Sequence, residues 1–125
     1  MDIIKLDQIE VGKLFSRSEN HFLDFKAKAV APGKLARTIS AFANSDGGEL
    51  FVGIEEPSSG GPKTWDGFSS VEDANAHVQV IERMFPLGVG ARTQFLFAEG
   101  HAGIVLHLEI QKSRDVVKTT ANEVY

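Results

Sequence analysis

The sequence contains no cysteine in its 125 residues, which excludes disulfides, thiolate zinc sites and cysteine nucleophiles. It also contains no apolar run near the roughly 20 residues that a membrane-spanning helix needs. The opening residues, Met1–Lys5, lack the basic start and apolar stretch of a secretory leader. These absences predict a cytoplasmic protein that does not enter a membrane.

Two common catalytic motifs are missing as well. No Gly-x-x-x-x-Gly-Lys-Ser/Thr pattern occurs, so Gly47-Gly48 is interpreted as a turn rather than a phosphate-binding loop. Ser40, Ser45 and Ser69 lie outside any Gly-x-Ser-x-Gly setting. The sequence therefore gives little support to an ATPase or a serine hydrolase.

The four histidines show no paired metal spacing. His21, His77, His101 and His107 form no His-Glu-x-x-His motif. A zinc site would need a carboxylate or a distant partner that the sequence does not identify. We therefore expect these histidines to be surface or sheet residues.

Charge limits how the chain can meet a nucleic acid. The 13 Lys and Arg residues against 17 Asp and Glu residues give a formal net charge of −4. Bulk electrostatics therefore does not favour the contact, which must come from a local basic patch. The hydrophobic fraction of 42% and charged fraction of 24% are typical of a folded protein, and the length predicts a single domain over residues 1–125.

Hydrophobic periodicity predicts the elements of the fold. In chain order they are a strand at 20–28, a helix at 32–44, a strand at 49–54, a helix at 74–85, strands at 92–98 and 103–110, and a short hairpin formed by 116–118 and 123–125. This β-α-β-α-β-β order predicts an α+β fold, a mixed sheet with two helices packed on one face plus the C-terminal hairpin. The stretch around Leu6, Ile9 and Leu14 is compatible with a further short helix.

A single hydrophobic core is expected to hold the apolar faces of these elements. Its predicted members are Leu23, Phe25, Leu35, Ile39, Phe42, Leu50, Val52, Val78, Ile81, Phe95, Leu106 and Leu108. The loop at 57–70 carries turn-forming residues, and Trp65 and Phe68 are expected to anchor it to the body.

Two segments, Ser18–Lys26 and Ile39–Glu56, carry a resemblance to a known family. An acid, Phe and Lys in a first strand, then a helix ending in Ala-Phe-Ala-Asn that leads through Gly-Gly into an apolar strand, resemble the Schlafen AlbA_2 domain. The resemblance implies an Alba-like fold and nucleic-acid binding, to DNA or RNA, as in the front end of transcriptional regulators. The last predicted strand ends at its third residue, so we expect an N-terminal fragment of a longer protein.

The resemblance also implies a catalytic site. In the ribonuclease branch of the family, three carboxylates act together, and the matching residues here are Glu19, Asp24 and Glu56, with Glu55 as the alternative to Glu56. Clustered carboxylates can hold Mg²⁺ or Mn²⁺, which polarises a phosphate and activates the attacking oxygen. Asp24 stands where the family usually has glutamate. We call Glu19, Asp24 and Glu56 the acidic triad; its alternative interpretation is structural, as surface charges and a pair with a neighbouring lysine.

A set of four cations could supply the local basic patch. Lys26 and Lys28 are predicted on one strand face, and Lys34 and Arg37 lie one helical turn apart, away from the apolar face of the helix. We call these four residues the basic strip. Three hypotheses follow: a nucleic-acid-binding domain, a metal-dependent endoribonuclease, and a protein-interaction or dimerisation module, such as a homodimer, that uses the apolar strands and the Trp65 loop.

Overall fold

The computed structural model describes residues 1–86 and 88–125. In chain order the elements are β1 (Asp2–Leu6), α1 (Gln8–Ser16), β2 (Leu23–Lys26), α2 (Pro32–Ala43), β3 (Gly48–Val52), β4 (Ile54–Glu55), β5 (Thr64–Trp65), a 3₁₀ turn (Glu72–Ala74), α3 (Asn75–Met84), β6 (Ala91–Ala98) and β7 (Ile104–Ile110). These elements confirm the predicted α+β class and the order of the six main predicted helices and strands.

Five strands form one mixed sheet in the order β1-β6-β7-β3-β2. Strand β7 runs antiparallel to both of its neighbours, while β1 pairs with β6 and β2 pairs with β3 in parallel. Strands β4 and β5 form a separate two-stranded sheet. The fifth strand, β1, was not predicted, because four of its five residues are exposed and show no alternation of burial.

Helices α2 and α3 pack on one face of the sheet, as predicted. The α2 face is apolar every third or fourth residue, and Leu35 and Ile39 are fully buried there against Leu50, Leu106 and Leu108 of the sheet. Residues with a spacing of two on a strand share a face, so β3 contributes Leu50 and Val52 to this core. None of the helices in the described ranges is long and apolar enough to cross a membrane.

Helix α1 and the small β4-β5 sheet cover the other face. Leu23 and Phe25 lie in this second cluster with Phe51, Trp65 and Val105, so the prediction of a single core was wrong for these two residues. The physical reason is register: Phe25 pairs with Phe51, which points away from the face that holds Leu50. Trp65 and Phe68 are both buried, which confirms their anchoring role.

The Asn44 side chain ties the C-terminal hairpin to the end of α2. Its Nδ2 donates to the Val117 carbonyl at 2.8 Å and to the Tyr125 carbonyl at 2.9 Å, and its Oδ1 accepts from the Val117 amide at 2.8 Å. Within the hairpin, Lys118 forms a bridge with Val124, and the Thr119 amide donates to the Glu123 carbonyl at 2.7 Å. The asparagine of the Ala-Phe-Ala-Asn motif thus satisfies backbone groups more than 70 residues away along the chain.

Candidate functional site

The basic strip begins beside β2, where carboxylates neutralise two of its cations. Lys26 Nζ lies 2.9 Å from Asp24 Oδ2, and both side chains are largely buried. Lys28 lies in the turn after β2, outside the strand predicted for it, and its Nζ is 3.3 Å from Asp66 Oδ1. These two lysines therefore contribute less positive potential than their number indicates.

The α2 half of the strip is different. Lys34 and Arg37 are exposed, and neither belongs to an ion pair within residues 1–86 and 88–125. Helix α2 starts after Ala31, which offers no capping side chain, and its first turn holds no acid. The partial positive charge of the helix N-terminus and the Lys34 cation therefore both favour an anion at this end of α2.

In the acidic triad, the structure brings Glu19 and Asp24 together. Glu19 Oε1 accepts a hydrogen bond of 3.2 Å from the Phe25 backbone amide. Partial burial and the neighbouring Glu19 carboxyl raise the pKa of Asp24 above its ordinary value, although Lys26 acts in the opposite direction. Glu19 therefore has a structural contact as well as a place beside a second acid.

Glu56, the third member of the triad, lies beside Lys63, with 3.8 Å between Oε2 and Nζ. Lys63 also donates to the Phe15 carbonyl at 3.1 Å and lies 5.0 Å from the centre of the Phe25 ring. Among the described residues, the triad does not form a group whose ligand atoms all lie within 4.8 Å of one another. A shared metal on the triad therefore stays a prediction.

A second polar cluster lies on the α1 face of the sheet. Glu49 Oε1 accepts from Arg17 Nη2 at 2.8 Å, and Glu49 Oε2 lies 2.9 Å from His107 Nε2. Burial raises the pKa of Glu49, but the hydrogen bonds and charges of Arg17 and His107 outweigh it and the pKa is lowered overall. Ligand atoms of Glu49, His107 and Glu109 all lie within 4.8 Å of one another. We call these three residues the α1-face cluster.

Gln94 completes the surroundings of His107. Its Nε2 lies 2.8 Å from His107 Nδ1, whereas its Oε1 is buried without a hydrogen-bond partner. A cavity of about 340 Å³ opens beside them and is bordered by Arg17 and Phe51 as well. A buried unpartnered amide group costs roughly 1–3 kcal/mol, and exchanging the two ends of the amide would move this cost from Oε1 to Nε2.

Sequence reasoning missed this cluster because its members are brought together by strand pairing. Glu49 pairs directly with Glu109, and Phe51 pairs with His107, across the antiparallel β3-β7 ladder. The spacing of two between His107 and Glu109 on one strand was the available local signal, but it is common in half-buried strands. The distant carboxylate that a histidine site would need is Glu49.

A sequence model described as Schlafen, AlbA_2 matches residues 19–125. The chain belongs to the Schlafen AlbA_2 family. The matched range holds the basic strip, the acidic triad and the α1-face cluster, but not β1 or α1. Family membership confirms the resemblance carried by the two motif segments and supports a nucleic-acid-related role.

Among solved structures, the chain is similar to the DIP2311 protein from Corynebacterium diphtheriae, with a TM-score of 0.56 and 17% sequence identity. The alignment covers 93% of this chain and 24% of that protein. At this identity the likeness shows a shared fold alone. The comparison with curated proteins gave no significant match. Trp65 is 7% exposed and donates to the Gly103 carbonyl, so its ring is not itself an exposed contact. The protein-interaction hypothesis stays a prediction.

Proposed function

We propose that this Schlafen AlbA_2 domain binds nucleic acid through its phosphates, with the start of α2 as the centre of the contact. Lys34 and Arg37 carry the proposal, because both are exposed and have no carboxylate partner in the described ranges. Phosphate contact through lysine and arginine is the general source of nucleic-acid affinity. DNA and RNA share this chemistry.

The other two cations of the strip have a secondary part. Lys28 is 43% exposed and its pairing distance to Asp66 is 3.3 Å, so the pair is loose and can exchange for a phosphate. Lys26 is 21% exposed and closely paired with Asp24, so we expect it to contribute least. We therefore expect the contribution to phosphate binding to be largest for Lys34 and Arg37, smaller for Lys28 and smallest for Lys26.

The proposed domain works as part of a longer regulatory protein. The similar fold in the Corynebacterium diphtheriae protein occupies 24% of that chain, which supports the use of this fold as one part of a larger molecule. A net charge of −4 makes general attraction to nucleic acid unfavourable, so the local strip has to act at short range.

Fluorescence anisotropy with labelled duplex DNA and single-stranded RNA of mixed sequence tests the proposal. The double variant Lys34→Ala/Arg37→Ala should bind at least roughly tenfold more weakly than the wild type, and similarly for different sequences. The matched control is Lys5→Ala/Lys13→Ala, which removes two exposed cations outside the matched range. Equal losses in both double variants, or no loss in the first, would contradict the proposal.

A second candidate function, metal-dependent RNA cleavage, is favoured by one observation. Two carboxylates, Glu19 and Asp24, lie side by side, and their proximity contributes to the raised pKa of Asp24. Crowded carboxylates are typical of sites that hold a hard divalent cation such as Mg²⁺ or Mn²⁺. Glu56 would have to leave Lys63 to complete the site.

An assay on structured RNA separates this candidate from binding alone. Cleavage should require Mg²⁺ or Mn²⁺, stop in EDTA, and disappear in Asp24→Asn, while circular dichroism shows an intact fold. Glu19→Gln and Glu56→Gln should each reduce the rate. If the wild type and all three variants cut at the same rate, the cleavage belongs to a contaminant and the acids are structural.

A further inference from the structure

We propose that the α1-face cluster, Glu49, His107 and Glu109, binds a divalent transition-metal ion, with Zn²⁺ as the best match. The three ligand atoms lie within 4.8 Å of one another. Imidazole nitrogen and carboxylate oxygen are both donor types that Zn²⁺ accepts. The proposal is independent of nucleic-acid binding and of the acidic triad, which lies on other residues.

The strand register explains why a cation fits here. Glu49 and Glu109 are directly paired across the β3-β7 ladder, and like charges in that position repel each other. Arg17 and His107 both contact Glu49, but Glu109 belongs to no ion pair among residues 1–86 and 88–125. A metal ion between the two carboxylates and His107 would neutralise both acids at once.

The two oxygens of Glu49 have separate roles. Oε1 accepts from Arg17 Nη2 at 2.8 Å, which orients the carboxylate and makes Arg17 a positioning residue. Oε2 faces His107 Nε2 at 2.9 Å. In the metal-bound form the proton between Oε2 and Nε2 is replaced by the ion, and neutral His107 carries its proton on Nδ1 instead.

Gln94 can hold the histidine of this site in the form that a metal requires. The residue is 9% exposed, and its Oε1 has no hydrogen-bond partner while its Nε2 lies against His107 Nδ1. A half-turn of the amide would place Oε1 opposite Nδ1, where it would accept the proton that a metal-bound His107 carries, and would leave Nε2 in the position that Oε1 now holds. In that orientation Gln94 would fix the tautomer that ligation through Nε2 requires, as outer partners of zinc-bound histidines commonly do.

The neighbouring cavity of about 340 Å³ is bordered by His107, Gln94 and Arg17, but by neither Glu49 nor Glu109. It therefore lies beside the histidine and not around the proposed metal position. Glu109 is exposed, so water has access to the proposed ion from the side of that carboxylate.

Isothermal titration calorimetry on the untagged chain, stripped with EDTA and titrated with ZnCl₂ and then MnCl₂, tests the site. We expect one Zn²⁺ per chain, with weaker Mn²⁺ binding, and an affinity loss of roughly 100-fold in Glu109→Gln and in His107→Gln. Glu109 is exposed, so its variant should keep the fold even if the His107 variant does not. The matched control is His21→Gln: His21 lies 2.8 Å from Asp46 but in no three-ligand group among the described residues.

The second readout is the histidine tautomer. With Zn²⁺, ¹⁵N NMR should show His107 bound through Nε2 and protonated at Nδ1, and Gln94→Leu should weaken Zn²⁺ by about 10- to 100-fold. The wild type failing to bind Zn²⁺, Glu109→Gln binding as tightly as the wild type, or the loss appearing in His21→Gln would each overturn the proposal.

Discussion

Asp24 and Glu49 lie on neighbouring strands, are both partly buried, and have pKa values shifted in opposite directions. Burial raises the pKa of both groups, and the neighbouring Glu19 carboxyl raises the pKa of Asp24 further. Glu49 instead accepts hydrogen bonds from Arg17 and His107, which outweigh burial. Burial alone therefore does not decide whether the charged form of an acid stabilises the fold, because the charges of its contacts also act.

The two sites also differ in what remains uncompensated. At the β2 edge the charged form of Asp24 is disfavoured, because Lys26 does not completely offset the effects of burial and of Glu19. On the α1 face Arg17 and His107 favour the charged form of Glu49. Glu109 lies directly opposite and has no ion-pair partner among the described residues. Each proposed cation site therefore centres on a different acid, and each can be tested without altering the other.

The largest effect is expected from removing the ring that stacks between Phe25 of β2 and His107 of β7. Phe51 stacks on Phe25 with 5.5 Å between ring centres and on His107 with 4.3 Å, and it is 3% exposed. Phe51→Ala should lower the free energy of unfolding by roughly 3–5 kcal/mol, measured by urea denaturation. Phe97→Ala is the control, since Phe97 is 48% exposed. Equal costs for both changes would contradict the buried packing of Phe51 between Phe25 and His107.

Glu49→Gln should have the next largest effect. At pH 7 we expect a loss of about 1 kcal/mol, since the side chain is 32% exposed and solvent screens part of its interaction with Arg17. The folded-state pKa lies below the ordinary 4.5, so this stabilisation is complete above 4.5 and is lost as the pH falls through the folded-state value. Thermal unfolding in a pH series should show the variant and the wild type converging in acid. A constant difference would contradict the assigned contacts.

Asp24→Asn should have the smallest effect, and the opposite sign. The folded-state pKa lies above the ordinary 3.8, so the stabilisation from protonated Asp24 is complete below 3.8 and is lost as the pH rises through the folded-state value. At pH 7 the amide should therefore raise the free energy of unfolding, by less than about 1 kcal/mol. Calorimetry at pH 7 checks this sign, and destabilisation would mean that the Lys26 pair outweighs burial and Glu19.

Local patterns were sufficient for the elements with a regular apolar spacing. Helix α2 was predicted at 32–44 and lies at Pro32–Ala43, because Leu35, Ile39 and Phe42 repeat along one face. Strand β1 could not be predicted in this way, since its pairing with β6 leaves most of its side chains exposed. The division into two cores depends on the pairing of β2 with β3, which no local pattern specifies.

The candidate sites also differ in whether a local pattern could identify them. Glu19 and Asp24 are five positions apart around one short strand, so a motif could identify them together. Glu49 and His107 are 58 positions apart, and only the sheet register brings their side chains within 2.9 Å. The pair of Asp24 with Lys26 matches the structural alternative that the sequence offered, since the two residues are two positions apart. The pair that weakens Lys28 was invisible, because Asp66 reaches Lys28 from a distant loop.

The salt dependence of nucleic-acid binding tests the central claim most directly. The logarithm of the association constant, plotted against the logarithm of KCl concentration, should have a slope that is shallower by about 1–2 in Lys34→Ala/Arg37→Ala than in the wild type, because fewer counterions are released. Lys26→Ala should leave the slope nearly unchanged, since Asp24 already pairs with that lysine. A slope that is the same in the wild type and in the Lys34→Ala/Arg37→Ala variant would contradict binding at the start of α2.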